Sequence, residues 1–168
     1  CGIILGCIAG LCKDKLPDAV IRVLSSVGIS MPGYVIASGL MILLAVNLKV
    51  LPVNYNKPGG WLMPMLTLAI YPTSYLTRLT RASILEVMNQ DYLRTERAKG
   101  MSEFVVVFIH ALKNSLIPVI TYLGPLTASI LTGGFVAESV FSVPGLGRYY
   151  VSSISSRDYT MIMGVTIF

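Results

Sequence analysis

Residues 78–115 read RLTRASILEVMNQDYLRTERAKGMSEFVVVFIHALKNS, a long polar stretch set between two strongly apolar ones. Uncharged residues run from Pro58 to Thr77 before it and from Asn114 to Ala137 after it. At about 1.5 Å per residue, each uncharged run is long enough to cross a hydrocarbon core of about 30 Å. The polar stretch must then lie outside the bilayer. It carries Arg78, Arg81, Arg94, Arg97, Lys99 and Lys113, and basic residues beside spans mark a cytoplasmic loop.

Gly100 divides this loop into two helical patterns. Asn89–Lys99 contains no Gly or Pro, and Lys99 suits the negative end of a helix dipole. Gly100 fits the left-handed position that closes a helix. Ser102 follows as a candidate N-cap with Glu103 in the first turn, and Met101 and Val106 have the spacing of a hydrophobic staple. Phe104–Leu112 is dense in apolar residues. Two readings stand on pattern alone: a compact basic knuckle of two helices, or an ordinary solvated loop.

The whole chain of 168 residues is 54% hydrophobic and 12% charged, with mean hydropathy +0.73. Soluble domains carry about 25% charged residues, so this is a membrane protein. The net charge of +5 sits in short loops and forms no stripe with interleaved aromatics, which argues against a nucleic-acid partner. Cys1, Cys7 and Cys12 read as small apolar span residues, and the single histidine, His110, leaves no multi-histidine metal site. There is no GxxxxGK[ST] phosphate loop, no catalytic constellation and no implied cofactor; the chain itself is not read as an enzyme.

Taken in order, Cys1–Cys12 is the inner half of a span, Lys13–Arg22 a short cytoplasmic loop, and Val23–Leu48 an uncharged run broken at Pro32 and Gly33, with its main helix from about Met31. LPVNYNKPGGW is a turn-rich outer loop with Trp61 as interfacial anchor. The span Trp61–Thr77 contains Pro64 and Pro72, and kinks there are compatible with a translocation path or with plain packing. In the span Ser115–Ala137, Gly124, Ala128 and Thr132 recur every four residues, a spacing that suits a helix–helix contact more than a pore lining. Residues 138–158, with Glu138, Arg148, Arg157 and Asp158, form an outer loop, and Glu138 is either a solvated interfacial carboxylate or part of a permeation path. Tyr159–Phe168 starts another span. Inner loops hold nine basic residues (Lys13, Lys15, Arg22 and the six above) against four outside (Lys49, Lys57, Arg148, Arg157). The expectation is an all-α, polytopic transmembrane bundle, one domain over 1–168, with three complete spans and two partial ones, reading as the middle of a longer chain.

LTRASILEVMNQDYLRTERAKG with HALKNSLIPV, and ESVFSVPGLGRYYVSSISSRDY, resemble the cytoplasmic loop and the last outer loop of permease subunits in bacterial dipeptide, oligopeptide and nickel ABC importers. The resemblance runs across nearly the whole chain, including GISMPGYVIASGLMILLAVNLKVLPV. Importer permeases in general carry EAA, three residues, then Gly in this loop; Arg94, Thr95 and Glu96 stand in the places of E, A and A here. The match is to the peptide branch, with a departure at Glu96, where that branch usually has a small residue.

The resemblance implies a type I importer permease of the bacterial inner membrane, crossing it several times. It would form half of a pore for short peptides, with a second permease subunit, two ATP-binding subunits and an extracytoplasmic substrate-binding protein. The loop at about 78–115 would grip an ATP-binding subunit through Asp91, Tyr92, Arg94, Thr95, Glu96, Arg97, Ala98 and Gly100, with Tyr92 the best single anchor. Glu138, Pro72 and Thr132 are possible pathway or gate residues. Nickel or another small solute remains open as cargo. Two readings of another class are a non-transporting membrane scaffold, and a secondary transporter, for which ionisable residues inside the spans would be expected.

Overall fold

The structure is a computed structural model that describes residues 1–131 and 134–167, and every regular element among them is helical. Eleven α-helices follow one another: α1 Gly2–Leu11, α2 Leu16–Ser30, α3 Gly33–Leu40, α4 Leu62–Met88, α5 Asp91–Ala98, α6 Glu103–Val105, α7 Leu112–Ser115, α8 Ile117–Leu131, α9 Phe135–Val140, α10 Leu146–Ser156 and α11 Tyr159–Ile167. Two π-helical segments are inserted, Met41–Asn47 after α3 and Val106–Ala111 between α6 and α7. The chain divides into two compact units, Cys1–Ser30 with Pro72–Pro125, and Met31–Tyr71 with Leu126–Phe168.

In the first unit, α1 packs on α4 through a glycine at every fourth position. A Cβ on Gly2 would lie 2.7 Å from the Thr73 carbonyl oxygen; on Gly6, 2.5 Å from Thr80 Cβ and 2.7 Å from the Thr77 carbonyl oxygen; on Gly10, 2.9 Å from Ile84 Cγ2. Small residues at this spacing form a flat stripe that lets two backbones approach. The Thr77 hydroxyl, which donates to its own helix at Thr73 O (2.7 Å), also reaches Gly2 O at 3.2 Å. On the opposite side of α1, Ile4, Leu5, Ile8 and Leu11 are exposed. Such apolar surface suits lipid, not water.

α2 begins seven residues before the uncharged run read from Val23, so most of the expected loop at 13–22 is helix. Pro17 is tolerated in a first turn, whose N–H groups have no intrahelical partner. Asp18, also in that turn, accepts the Asp14 N–H at 3.1 Å. Its carboxylate also takes a bidentate pair from Arg81 on α4: Nε to Oδ1 at 2.6 Å and Nη2 to Oδ2 at 2.7 Å. The Asp18 side chain is 1% exposed. In the stretches read as cytoplasmic, the Arg81 hydrogen bonds hold this carboxyl down to about 2, against the opposing effect of burial.

α4 does not stop at the first arginine but continues through Arg78 and Arg81 to Met88, 27 residues or roughly 40 Å. A helix has no physical reason to end where the bilayer does. The break expected at Pro32 is present: α2 ends at Ser30 and α3 starts at Gly33.

The second unit has its core at Ala37, Met63, Ala137 and Phe141, with Met41, Leu44, Ala45, Leu51, Val140 and Val143 packed on it. Trp61 is 54% exposed and stands edge-on to Tyr55, ring centroids 5.5 Å apart.

Among the described residues, one helical run, starting at Glu103, is long and apolar enough to cross a membrane, with mean hydropathy 1.8 in its most apolar window; α2 with residues 33–47 would be a second if the bent pair is one span. α4 has the length, but its Thr, Tyr and Pro residues dilute its hydropathy. The small-residue face expected on α8 is uncovered at Gly124, where a Cβ would meet nothing within 4 Å, and Ala128 is exposed; Thr132 lies outside the described residues. Among the described residues, a close approach of this kind is found at the glycines of α1.

Candidate functional site

α5 is a two-turn helix with Gln90 at its N-cap and Lys99 at its C-cap. Asp91 in the first turn and Arg97 in the last oppose the helix dipole favourably. Gly100 has φ +81°, and two hydrogen bonds close the end: Gly100 N–H to Arg97 O at 3.0 Å and Met101 N–H to Glu96 O at 3.4 Å. This is the Schellman pattern, and it satisfies carbonyls that the helix would otherwise leave open. The left-handed turn expected at Gly100 is therefore present.

After the turn, Ser102 occupies the N-cap of α6, but its hydroxyl makes no capping bond. Glu103 instead reaches back across the turn to Arg97, accepting from Nε at 3.0 Å and Nη2 at 2.8 Å. The Arg97 guanidinium holds the Glu103 carboxyl below its usual range. Val106 packs not in a staple with Met101 but in a cluster with Leu93 and Ala111, flanked by Val87 and Met88 at the end of α4. Leu93, the sole aliphatic residue larger than alanine in α5, is fully buried. A third attachment joins Tyr92 to α7, where Asn114 Nδ2 donates to the Tyr92 hydroxyl at 2.9 Å.

These attachments sort the eight residues expected to dock a partner. Asp91, Arg94, Thr95 and Ala98 fall at helical spacings of three and four and form one exposed face. Arg94 keeps only a loose pair with Asp91 at 3.4 Å. Leu93, Glu96 and Arg97 lie on the covered side. Glu96 accepts from Lys99 Nζ at 3.3 Å, and its Oε2 is buried with no hydrogen-bond partner among the described residues. Thus the departure from the peptide-branch pattern at Glu96 is on the side of the helix turned away from the open face. Tyr92 is 37% exposed and tied to Asn114. The Arg97–Glu103 and Tyr92–Asn114 links were not read from the sequence; opposite charges flanking the turn glycine were the available signal for the first.

Of the possible pathway residues, Thr132 lies outside the described residues. Pro72 is inside α4 and belongs to the first unit, whereas Glu138 belongs to the second. Glu138 Oε2 accepts from Gly147 N–H at 2.7 Å and Arg148 N–H at 3.2 Å, and so caps the N-terminus of α10. A Cβ on Gly145 would run into that carboxylate.

The turn carries a prediction. A Cβ at Gly100 would meet nothing within 4 Å, so a substitution there acts through the backbone alone. Gly100→Val is expected to cost about 1 kcal/mol or more by forcing a β-branched residue into the left-handed region, and Gly100→Asn clearly less. Thermal unfolding of the two variants of the purified protein checks this; equal losses would mean that the turn is not why a glycine stands there.

Comparison with known proteins places this geometry. Residues 2–168 match the family described as binding-protein-dependent transport system inner membrane component. The chain is 47% identical over 168 residues to the dipeptide transport system permease protein DppB of Bacillus subtilis, covering 99% of this chain and 54% of that protein. It is 39% identical over 176 residues to the DppB of Lactococcus lactis (99% and 56%), and 36% identical over 174 residues to the oligopeptide transport system permease protein OppB of Haemophilus influenzae (99% and 55%). The chain spans about half the length of the curated relatives it matches. With a matched region that takes in nearly every residue and an all-helical architecture, the chain belongs to the family of inner membrane components of binding-protein-dependent transport systems.

Proposed function

We propose that this chain is part of a permease subunit that forms half of the pore of an ABC importer for short peptides. Its spans alternate through the inner membrane with residues 78–115 in the cytosol and 138–158 outside. A second permease subunit completes the pore, an extracytoplasmic binding protein delivers the peptide, and two ATP-binding subunits hydrolyse ATP. The peptide cargo rests on the names of the relatives.

The observation that carries the coupling role is α5 itself. It is a short polar helix with its apolar residue buried inward and a face of Asp91, Arg94, Thr95 and Ala98 left open. That face fits a groove on a soluble ATP-binding subunit. The mechanism follows: closure of the two ATP-binding subunits moves α5, and α5 passes the displacement to α4 and to residues 103–115, on which it is packed. Tyr92, half-exposed beside this face, contributes at its edge.

Ala98→Arg tests the reading. The substitution adds bulk and charge to an exposed position, so insertion should be unchanged. Transport and substrate-stimulated ATPase activity, measured in the same liposomes, should fall together by about tenfold or more, since a charge forced into a packed contact typically costs well over 1.4 kcal/mol. Full ATPase stimulation with failed transport would remove α5 from the coupling contact.

Orientation has its own test. Cysteines introduced at Asp91 and at Tyr149, both exposed, in a full-length permease lacking Cys1, Cys7 and Cys12 should be labelled from opposite sides of the membrane. Labelling of both from one side would overturn the topology.

A further inference from the structure

The first unit contains a cavity of about 240 Å³ between α2 and α4, lined by Ile21, Arg22, Ser25, Ser26, Thr77, Arg78, Arg81 and Ala82. Three of its walls' side chains are guanidiniums. Arg81 is committed to Asp18 through Nε and Nη2. Arg22 and Arg78 are exposed and form no ion pair or hydrogen bond among the described residues. The Ser25 and Thr77 hydroxyls already donate to Ile21 O and Thr73 O, so the free donors at the mouth are the two arginines and Ser26. The lining carries three guanidiniums and no carboxylate; Asp18, paired with Arg81 and also close enough to feel Arg22, and Asp14 beside Arg81 lie behind it, and the lining stays net positive.

The surface beside it is apolar. Val20, Val23, Leu24 and Val27, at helical spacings of three and four, are 54%, 61%, 65% and 45% exposed, and Leu16 extends the row at 82%. α2 therefore carries three sides: Asp18, Ser25 and Gly28 buried inward, Arg22 at the cavity, and an uncovered aliphatic row. A helix with this division lies in the membrane interface, its apolar row among the acyl chains and its basic residues at the headgroups. We propose that the cavity between α2 and α4 is a binding site for the phosphodiester headgroup of an anionic phospholipid, held by Arg22 and Arg78, with the acyl chains along Val20, Val23, Leu24 and Val27.

Guanidinium binds phosphate oxygens in bidentate fashion, and it is weakly hydrated, so arginine suits a site half in the interface better than lysine does. The placement uses the cytoplasmic orientation of Arg22 and Arg78 proposed above, but lipid binding itself requires neither transport nor peptide cargo. A free phosphate would use the arginines and ignore the aliphatic row; a lipid needs both.

Native mass spectrometry of the full-length permease in the assembled importer decides it, with phosphatidylglycerol, phosphatidylcholine and inorganic phosphate as probes. Each basic side chain near an anionic leaflet contributes on the order of 1 kcal/mol, so R22Q/R78Q should retain phosphatidylglycerol about 30-fold more weakly than the unaltered protein. Both side chains are exposed, and the fold should survive their loss. L24Q/V27Q should weaken phosphatidylglycerol but not inorganic phosphate, and Lys49→Gln should change neither. Equal retention of phosphatidylcholine and phosphatidylglycerol, or undiminished retention by R22Q/R78Q, overturns the proposal. Inorganic phosphate displacing the lipid, with no effect of L24Q/V27Q, would make this a free-anion site and overturn the lipid assignment.

Discussion

Asp18→Ala is expected to destabilise the folded permease by about 3–5 kcal/mol, because it strands the Arg81 guanidinium against a covered surface. A buried pair is not in itself strong evidence of stability, since desolvation of both ions offsets much of their attraction. Removing one ion, however, leaves all of that cost and none of the attraction. The double variant Asp18→Ala with Arg81→Leu should therefore be more stable than Asp18→Ala alone, and thermal unfolding of the four members of this cycle in the purified complex measures it. A double variant less stable than the single would show that the pair contributes through something other than charge compensation.

The sign of the pH dependence follows from the same contact. Asp18 titrates lower in the folded protein than its ordinary value of 3.8, so its contribution is complete above that value. It is lost as pH falls towards about 2. Between pH 7 and pH 5 this pair should contribute no slope.

The second large effect is expected at Gly6. A Cβ there would fall 2.5 Å from Thr80 Cβ and 2.7 Å from a backbone oxygen of α4, and backbone does not yield as a side chain does. Even Gly6→Ala must push α1 away from α4, at about 3 kcal/mol as for other overpacked contacts. Gly10→Ala should cost less, because what it meets is the side chain of Ile84. Unfolding midpoints and the yield of assembled complex report both. If the two alanines behaved alike, the α1–α4 approach would not be set by backbone contact at Gly6.

Local chemistry was the legible part. The glycine turn at Gly100, the short polar helix before it and the break at Pro32 each depend on a few neighbouring residues, and each is present where the sequence put it. Pairings between distant residues were not legible. Nothing near Asp18 points to a partner 63 positions away, and no local rule couples Tyr92 to Asn114. The glycines at 2, 6 and 10 were legible in principle, since their spacing is the same as that of Gly124, Ala128 and Thr132. Spacing alone does not say which stripe finds a partner. Ser102 illustrates a further limit: it stands at the N-cap as read, but its hydroxyl makes no capping hydrogen bond, and the side-chain contact at this helix start is that of Glu103 with Arg97. The span limits read from charge at Arg78 and Arg22 do not coincide with helix ends, since both residues lie inside helices.

The three attachments of α5 have a mechanical meaning. A rod fastened at one point can swivel, and one fastened at two can still roll about the line that joins them. α5 is held by Tyr92 near its start, by Leu93 in the apolar cluster and by Arg97 at its end, on partners spread from Glu103 to Asn114. Neither swivelling nor rolling is then open to it without breaking a contact. If α5 has the proposed coupling role, a push on its exposed face would be delivered to residues 103–115 as displacement instead of being dissipated as local rotation, and the stiffness of that joint would set how small a movement on one side of the membrane is felt on the other.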